Sequence, residues 1–338
     1  MIRRILNNLT HRLHEVPVLV LMPHSRCNCR CVMCDIWKAN QTKTELSAED
    51  LLQHVNAFQK LGVKHVALSG GEALMHRNLF VLCKELQRLR IHVSLLSTGL
   101  LLKTHARDIV TNCNEVIVSL DGPSHIHDAI RNIPAAYEKM QEGVRALRQE
   151  SPAFRITGRS VIQKANYRAL EETIDAALEL QLDQISFLAA DVSSTAFNRP
   201  DPWNAAQQDA VALSHEEALQ LRQIIRKLTD TRNDLFDRRF VAESPQKLLR
   251  IPAYYEALAG KSSFPKVVCN APWVSAVVES NGDILPCYFH PAYGNWKDGF
   301  EKVINSAQAI AFRKQLKVES DPVCQKCVCS LKLGLGAP

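Results

Sequence analysis

Val18-Leu-Val-Leu-Met-Pro-His-Ser-Arg-Cys27-Asn-Cys29-Arg-Cys31-Val-Met-Cys34 carries the chain from a short apolar run straight into cysteines spaced C-x3-C-x2-C. A run of this length reads as a buried strand, and the loop after it presents Cys27, Cys31 and Cys34 together. Three thiolates on one loop can hold three corners of a 4Fe-4S cubane, whereas clusters that only carry electrons take four cysteines. One iron is then left open for another ligand. The alternative is a structural zinc with Cys29 as fourth thiolate, although zinc usually closes through two C-x2-C pairs.

Outward from this stretch, the chain alternates strand-like and helical patterns to about residue 190. Strands are predicted at 18–22, 65–69, 92–97, 115–120, 155–162 and 184–188. Between them, Ser47, Glu49 and Asp50 open a helix whose apolar face is Leu51, Val55, Phe58 and Leu61; Tyr137, Met140, Val144 and Leu147 mark another. Alternation with right-handed crossovers makes a parallel sheet, so the predicted fold is α/β, a partial (β/α)6 TIM-like barrel. Ligands of such folds gather at the carboxyl ends of strands. Gly70-Gly71-Glu72, Ser97-Thr98-Gly99 and Ser119-Leu120-Asp121-Gly122 all fall at predicted strand ends.

Taken with the cysteine spacing, these motifs in this order resemble those of the radical S-adenosylmethionine (SAM) superfamily. The resemblance implies a SAM-binding 4Fe-4S cluster on Cys27, Cys31 and Cys34, with SAM chelated at the open iron. It further implies that Gly70, Gly71 and Glu72 contact the amino group of SAM, that Ser119 and Asp121 hold its ribose or carboxylate, and that Arg131 partners the carboxylate. Ser97 and Thr98 would line the same cavity. The implied chemistry is reductive cleavage of SAM to a 5′-deoxyadenosyl radical that takes a hydrogen from substrate. Read singly, Gly-Gly-Glu and Asp-Gly are ordinary turns. Cys29 departs from the family pattern and is read as a non-ligand; Met33 stands where the family often has an aromatic residue, and Trp37 comes only beyond the cysteines.

Residues 192–265 break the alternation with a loop at Asn198-Arg199-Pro200-Asp201-Pro202 and helical patterns near 221–228 and 248–255, a bridge or a lid. Asp191, just past the sixth strand, is the candidate catalytic base at the cavity mouth; its plainer reading is a cap on the Ser193-Ser194 turn. From 266 onward, Ser280-Asn281-Gly282-Asp283 signals a hairpin and a helix follows at 307–316. Cys269, Cys287, Cys324 and Cys327 then resemble the ligands of a twitch domain, the shortened relative of SPASM, which implies a second, auxiliary 4Fe-4S cluster. Cys329 is a spare, and zinc suits four thiolates equally well. The chain therefore divides into an N-terminal amphipathic helix (1–17), a radical SAM barrel (18–191), a helical bridge (192–265) and a small C-terminal α+β twitch/SPASM-like domain (266–338). Cys83 and Cys113 read as buried apolar residues, and His290, three residues after Cys287, as a structural histidine.

Among 338 residues, 46% are hydrophobic, enough for a large core, and a net charge of +6 without a basic run gives no sign of a nucleic-acid partner. Eleven cysteines with no signal peptide point to metal ligation in a reducing, cytoplasmic compartment. Ile2, Ile5, Leu6, Leu9 and Leu13 recur at helical spacing; packing of this face on the barrel end is expected, with contact to an anionic membrane as the alternative. Only 26 residues precede Cys27, too few for a leader-recognition domain, which favours a small-molecule or lipid-precursor substrate over a peptide. A reducing partner such as flavodoxin or ferredoxin is expected. A third reading, a non-catalytic iron-sulfur or zinc protein, leaves the open cluster corner without a purpose.

Overall fold

A computed structural model describes residues 2–334. Six parallel strands, β1 (Val18–Leu21), β2 (His65–Leu68), β3 (His92–Ser97), β4 (Glu115–Ser119), β5 (Arg155–Ile162) and β6 (Gln184–Ala189), lie side by side in chain order, each followed by a helical crossover. Consecutive order with no switch in direction curls the sheet into the predicted partial barrel. The predicted strands agree with these bounds to within a residue at each end.

Along β1, β2, β4 and β6, fully buried residues alternate with half-buried ones. Leu19, Leu21, Val66, Leu68, Val116 and Val118 belong to the apolar core, and the half-buried positions form the opposite face of the curved sheet. At the amino ends of the strands, polar side chains form a linked network. Ser94 Oγ donates to Glu115 (2.5 Å) and also meets His65 Nε2 (2.6 Å), while Arg155 pairs with Glu115 at 3.0 Å. The predicted helix at Ser47 is observed as Ala48–Lys60 with a capping box, in which Ser47 Oγ and Asp50 each accept from the other's backbone N–H.

The C-terminal segment is continuous with the barrel sheet. Strand β7 (Ser275–Val278) runs parallel to β1 in the register Val18↔Ser275, and β8 (Asp283–Leu285) and β9 (Gly294–Asn295) follow antiparallel. The predicted hairpin turns at Gly282, where φ is +89° and a Cβ would stand 2.7 Å from the Trp296 ring, so glycine is required twice over.

The N-terminal helix, Ile2–Thr10, reverses the expected orientation. Its polar side packs inward: Asn7 Nδ2 donates to the carbonyls of Glu15 (2.7 Å) and Trp273 (2.8 Å), and Asn7 Oδ1 accepts from His14 N (2.6 Å). Arg4 pairs with Glu15 and donates to the Gly334 carbonyl. Ile2 and Leu9 remain 71% and 72% exposed. The cause is local, because carbonyls left free at Glu15 and Trp273 need donors and Asn7 supplies them. No helix among the described residues is long and apolar enough to cross a membrane.

Candidate active site and cluster-binding loops

The loop from β1 to Cys34 lies across the carboxyl ends of the neighbouring strands and is fastened to each in turn. After β2, Glu72 N donates to Arg26 O (2.8 Å), and a Cβ at Gly71 would fall 2.0 Å from that same carbonyl oxygen, so only glycine lets the two backbones meet. At the end of β3, Thr98 Oγ1 donates to Asn28 Oδ1 (2.9 Å). Arg30 N and Val32 N donate to the carbonyls of Arg131 and Ile130, at the close of the helix Ser124–Arg131. The sequence-selected motifs thus meet at one edge of the sheet.

Individual side chains refine the expected roles. The Glu72 carboxylate is fully buried and accepts from Thr98 N (2.7 Å), Ser97 Oγ (3.1 and 3.2 Å) and Leu74 N (3.2 Å). Burial raises its pKa, against these bonds. With its oxygens so engaged, Glu72 locks the turn, and backbone groups of Gly70 and Gly71 remain for a ligand. Asp121 is likewise buried, paired with Arg131 at 2.5 Å and accepting from Val161 N (3.1 Å). Arg131 Nη1 in turn lies 3.6 Å from Cys31 Sγ. Ser119 is half-buried at the end of β4.

The thiols fit a metal cluster by their chemistry. Burial pushes Cys27 and Cys34 up to about 12, so their thiolates need a compensating positive charge. Cys31 is drawn down to about 6, first by a hydrogen bond from the Cys29 thiol and then, against burial, by the Arg131 guanidinium. Among the described residues, no three of these thiols lie within 4.8 Å of one another. A single tetrahedral zinc with bonds of about 2.3 Å would draw its sulfurs to about 3.8 Å apart. Buried polar atoms without a partner include Asn28 Nδ2 on the cysteine loop, Trp37 Nε1 just after it, His127 Nε2 and Arg131 Nε on the helix Ser124–Arg131, and Gln163 Nε2 just past β5. Such groups are costly unless a ligand satisfies them.

Asp191 caps the Ser193-Ser194 turn, accepting from Ser193 N (3.4 Å) and Ser194 Oγ (2.5 Å), and forms a buried ion pair with Arg199 (2.8 Å). The loop it anchors is a strap over the cysteine loop: Arg199 Nη2 donates to Met33 O (3.1 Å) and Trp203 Nε1 to Asp35 Oδ2 (3.0 Å). Arg199 also stacks on Trp203, 4.0 Å from the ring centre. Nothing in the local pattern of Asn198-Arg199-Pro200 announces this long-range pairing.

Beside the strap is a cavity of about 550 Å³. Gly70 and Gly71 line it on the barrel side, Phe197 on the strap, and Glu279, Tyr288 and Phe289 on the C-terminal segment. Sequence reading missed these last residues, although Tyr288 and Phe289 directly follow Cys287. In the same segment, burial raises the pKa of Cys287, Cys324 and Cys327; after burial, Cys269 and other thiols act on Cys287 and Cys327, and Asp321 acts on Cys324. Asp321 caps the helix Pro322–Gln325, accepting from Val323 N and Cys324 N, and His290 Nε2 lies 3.4 Å from Cys324 Sγ. His290, Asp321 and Cys324 are spaced closely enough for one ion. Asp321 is already engaged as the cap. All eleven cysteines are free, and Cys83 and Cys113 are buried far from these loops in sequence.

Residues 21–177 match the model of the radical SAM superfamily, and residues 269–328 match that of the SPASM iron-sulfur cluster-binding domain. Residues 21–177 therefore form a radical SAM domain and residues 269–328 an iron-sulfur cluster-binding SPASM domain, and these two domains imply SAM, a 4Fe-4S cluster and an auxiliary iron-sulfur cluster as cofactors. It is 26% identical to the AdoMet-dependent heme synthase of Methanosarcina barkeri over 46% of this chain and 45% of the other. To the pre-heme d1 synthase of Dinoroseobacter shibae it is 28% identical, over 47% and 39%. These matches span less than half the length of either relative. In fold it resembles Streptococcus suis SuiB bound to its precursor peptide SuiA, with a TM-score of 0.68 at 16% identity over 96% of this chain and 74% of that one.

Proposed function

We propose that the chain is an enzyme that binds SAM at an open-cornered cluster on Cys27, Cys31 and Cys34 and abstracts hydrogen from a small molecule held in the 550 Å³ cavity. The observation that carries this reading is the convergence of the three thiols of the cysteine loop, one buried and two half-buried, the Gly70-Gly71 turn and unpartnered polar atoms on and beside that loop, with the cavity adjoining that turn. When bound, cluster and cofactor supply reductive carbon–sulfur cleavage. The protein's share is to orient and to exclude water. Arg131 offsets the negative charge of the Cys31 thiolate while Asp121 holds its guanidinium in place. Glu72 keeps the Gly70-Gly71 backbone against the cysteine loop, Thr98 keeps Asn28 in position, and the strap covers Met33 and Asp35.

Cys269, Cys287, Cys324 and Cys327 are assigned to the auxiliary cluster, and a flavodoxin or ferredoxin in the cytoplasm to the supply of electrons. The relatives' names, both of synthases of haem-type compounds, support a small-molecule substrate. The peptide-bound SuiB structure, alike in fold, keeps peptide maturation as the second reading. Anaerobic protein given dithionite and SAM should release 5′-deoxyadenosine. Replacing Cys27, Cys31 and Cys34 with alanine should abolish that product while Cys29→Ala retains it; release by the triple variant would overturn the assignment.

A further inference from the structure

Among the described residues lining the 550 Å³ cavity, Glu279 is the only carboxylate, and neither lysine nor arginine is present. Its backbone is fixed by the hairpin, with Glu279 N donating to Asp283 O and Gly282 N to Glu279 O. Its side chain makes no ion pair among the described residues. The nearest named acid, Asp283, is occupied by Asn281 and Asn295. Burial, and after it Asp283, raises the Glu279 pKa, as expected of a carboxylate without a counter-charge. The lining histidines are engaged elsewhere: His290 Nε2 lies 3.4 Å from Cys324 Sγ, and His24 Nδ1 accepts from Arg26 N (2.9 Å).

The same walls are aromatic. Phe197 and Tyr288 have ring centres 5.0 Å apart, and Tyr288 and Phe289 5.7 Å apart. Ring faces attract cations, and a desolvated carboxylate gains most from a partner bringing both a hydrogen bond and a positive charge. A substrate rich in phosphate or carboxylate would meet the opposite: one negative wall and no cation to receive it. Resting on the reading of this cavity as the substrate site, we propose that it selects a substrate bearing a protonated amine beside an aromatic or otherwise apolar body, with Glu279 receiving the ammonium group. The three rings would hold the apolar part.

The test uses 2-phenylethylamine, 2-phenylethanol and 3-phenylpropionate as probes, titrated calorimetrically into the anaerobic, SAM-loaded holoprotein. The amine should bind at least about tenfold more tightly than the acid, and Glu279→Gln should weaken the amine by about tenfold to a hundredfold while the alcohol changes little. Iron content and melting temperature report whether the variant is folded; Glu279→Ala provides the same comparison if the glutamine variant is not. Equal binding of amine and acid, no binding of the amine, or an amine affinity untouched by either substitution overturns the proposal. So does a loss confined to SAM affinity, which would assign Glu279 to the cofactor. Failure of the wild type to cleave SAM would instead count against the reading of the site itself, whatever the probes show.

Discussion

The loop carrying Cys27, Cys31 and Cys34 is tied to the ends of β2 and β3, to the helix ending at Arg131 and to the strap at Arg199 and Trp203. The segment carrying Cys324 and Cys327 is capped at its short helix by Asp321 and tied further on by Asn270, which bonds Leu331 and Leu333. Both regions present closely spaced thiols, yet the first is built into the sheet edge and the second is assembled from pieces of chain far apart in sequence. A cluster that must leave one corner open needs its remaining ligands held by the protein scaffold. A cluster with four thiolates is held largely by its own bonds, so the surrounding chain can be less constrained.

This contrast can be broken from the barrel side first. Arg199→Met leaves Asp191 buried without its partner and loosens the strap over Met33 and Asp35; a loss of about 3–5 kcal/mol is expected for half of a buried ion pair. Urea unfolding of the anaerobic holoprotein measures it. A loss below about 1 kcal/mol would mean that the strap is not a brace.

On the C-terminal side, Asp321→Ala removes only a helix cap and should cost about 0.5–2 kcal/mol in the same unfolding experiment. An effect as large as that of Arg199→Met would erase the distinction between the regions. The smallest effect is expected at the N-terminal helix: Leu9→Ser, at an exposed position, should change stability by less than about 0.5 kcal/mol. Asn7→Ala at the buried face should cost about 1–3 kcal/mol by leaving carbonyls unpaired. The reverse ranking would return the helix to the orientation its apolar periodicity suggested.

Strands were legible because the alternation of short β-branched runs with amphipathic helices reflects a sheet covered on one face, a relation local in sequence. The barrel-edge motifs were legible for a related reason, since each follows its strand directly. Three features were not. The pairing of Asp191 with Arg199 depends on how an irregular loop folds back, and nothing periodic encodes it. Glu279 sits beside a turn whose Asn-Gly signal is so strong that the residue before it reads as mere strand. The N-terminal helix has an apolar stripe of ordinary spacing, but free carbonyls at Glu15 and Trp273 recruit Asn7 and turn its helical part, Ile2 to Leu9, outward, while Leu13 beyond the helix is buried. Periodicity reports faces; it does not report which face finds the better partners.

The most direct measurement uses the variant in which Cys324 and Cys327 are alanine, leaving the barrel-edge thiols as the intact set. Reduced anaerobically, this protein should carry about four irons, and its electron paramagnetic resonance spectrum should change on addition of SAM. The protein lacking Cys27, Cys31 and Cys34 should show no such change. A spectrum indifferent to SAM in the first variant, with its iron present, would contradict an open corner at Cys27, Cys31 and Cys34.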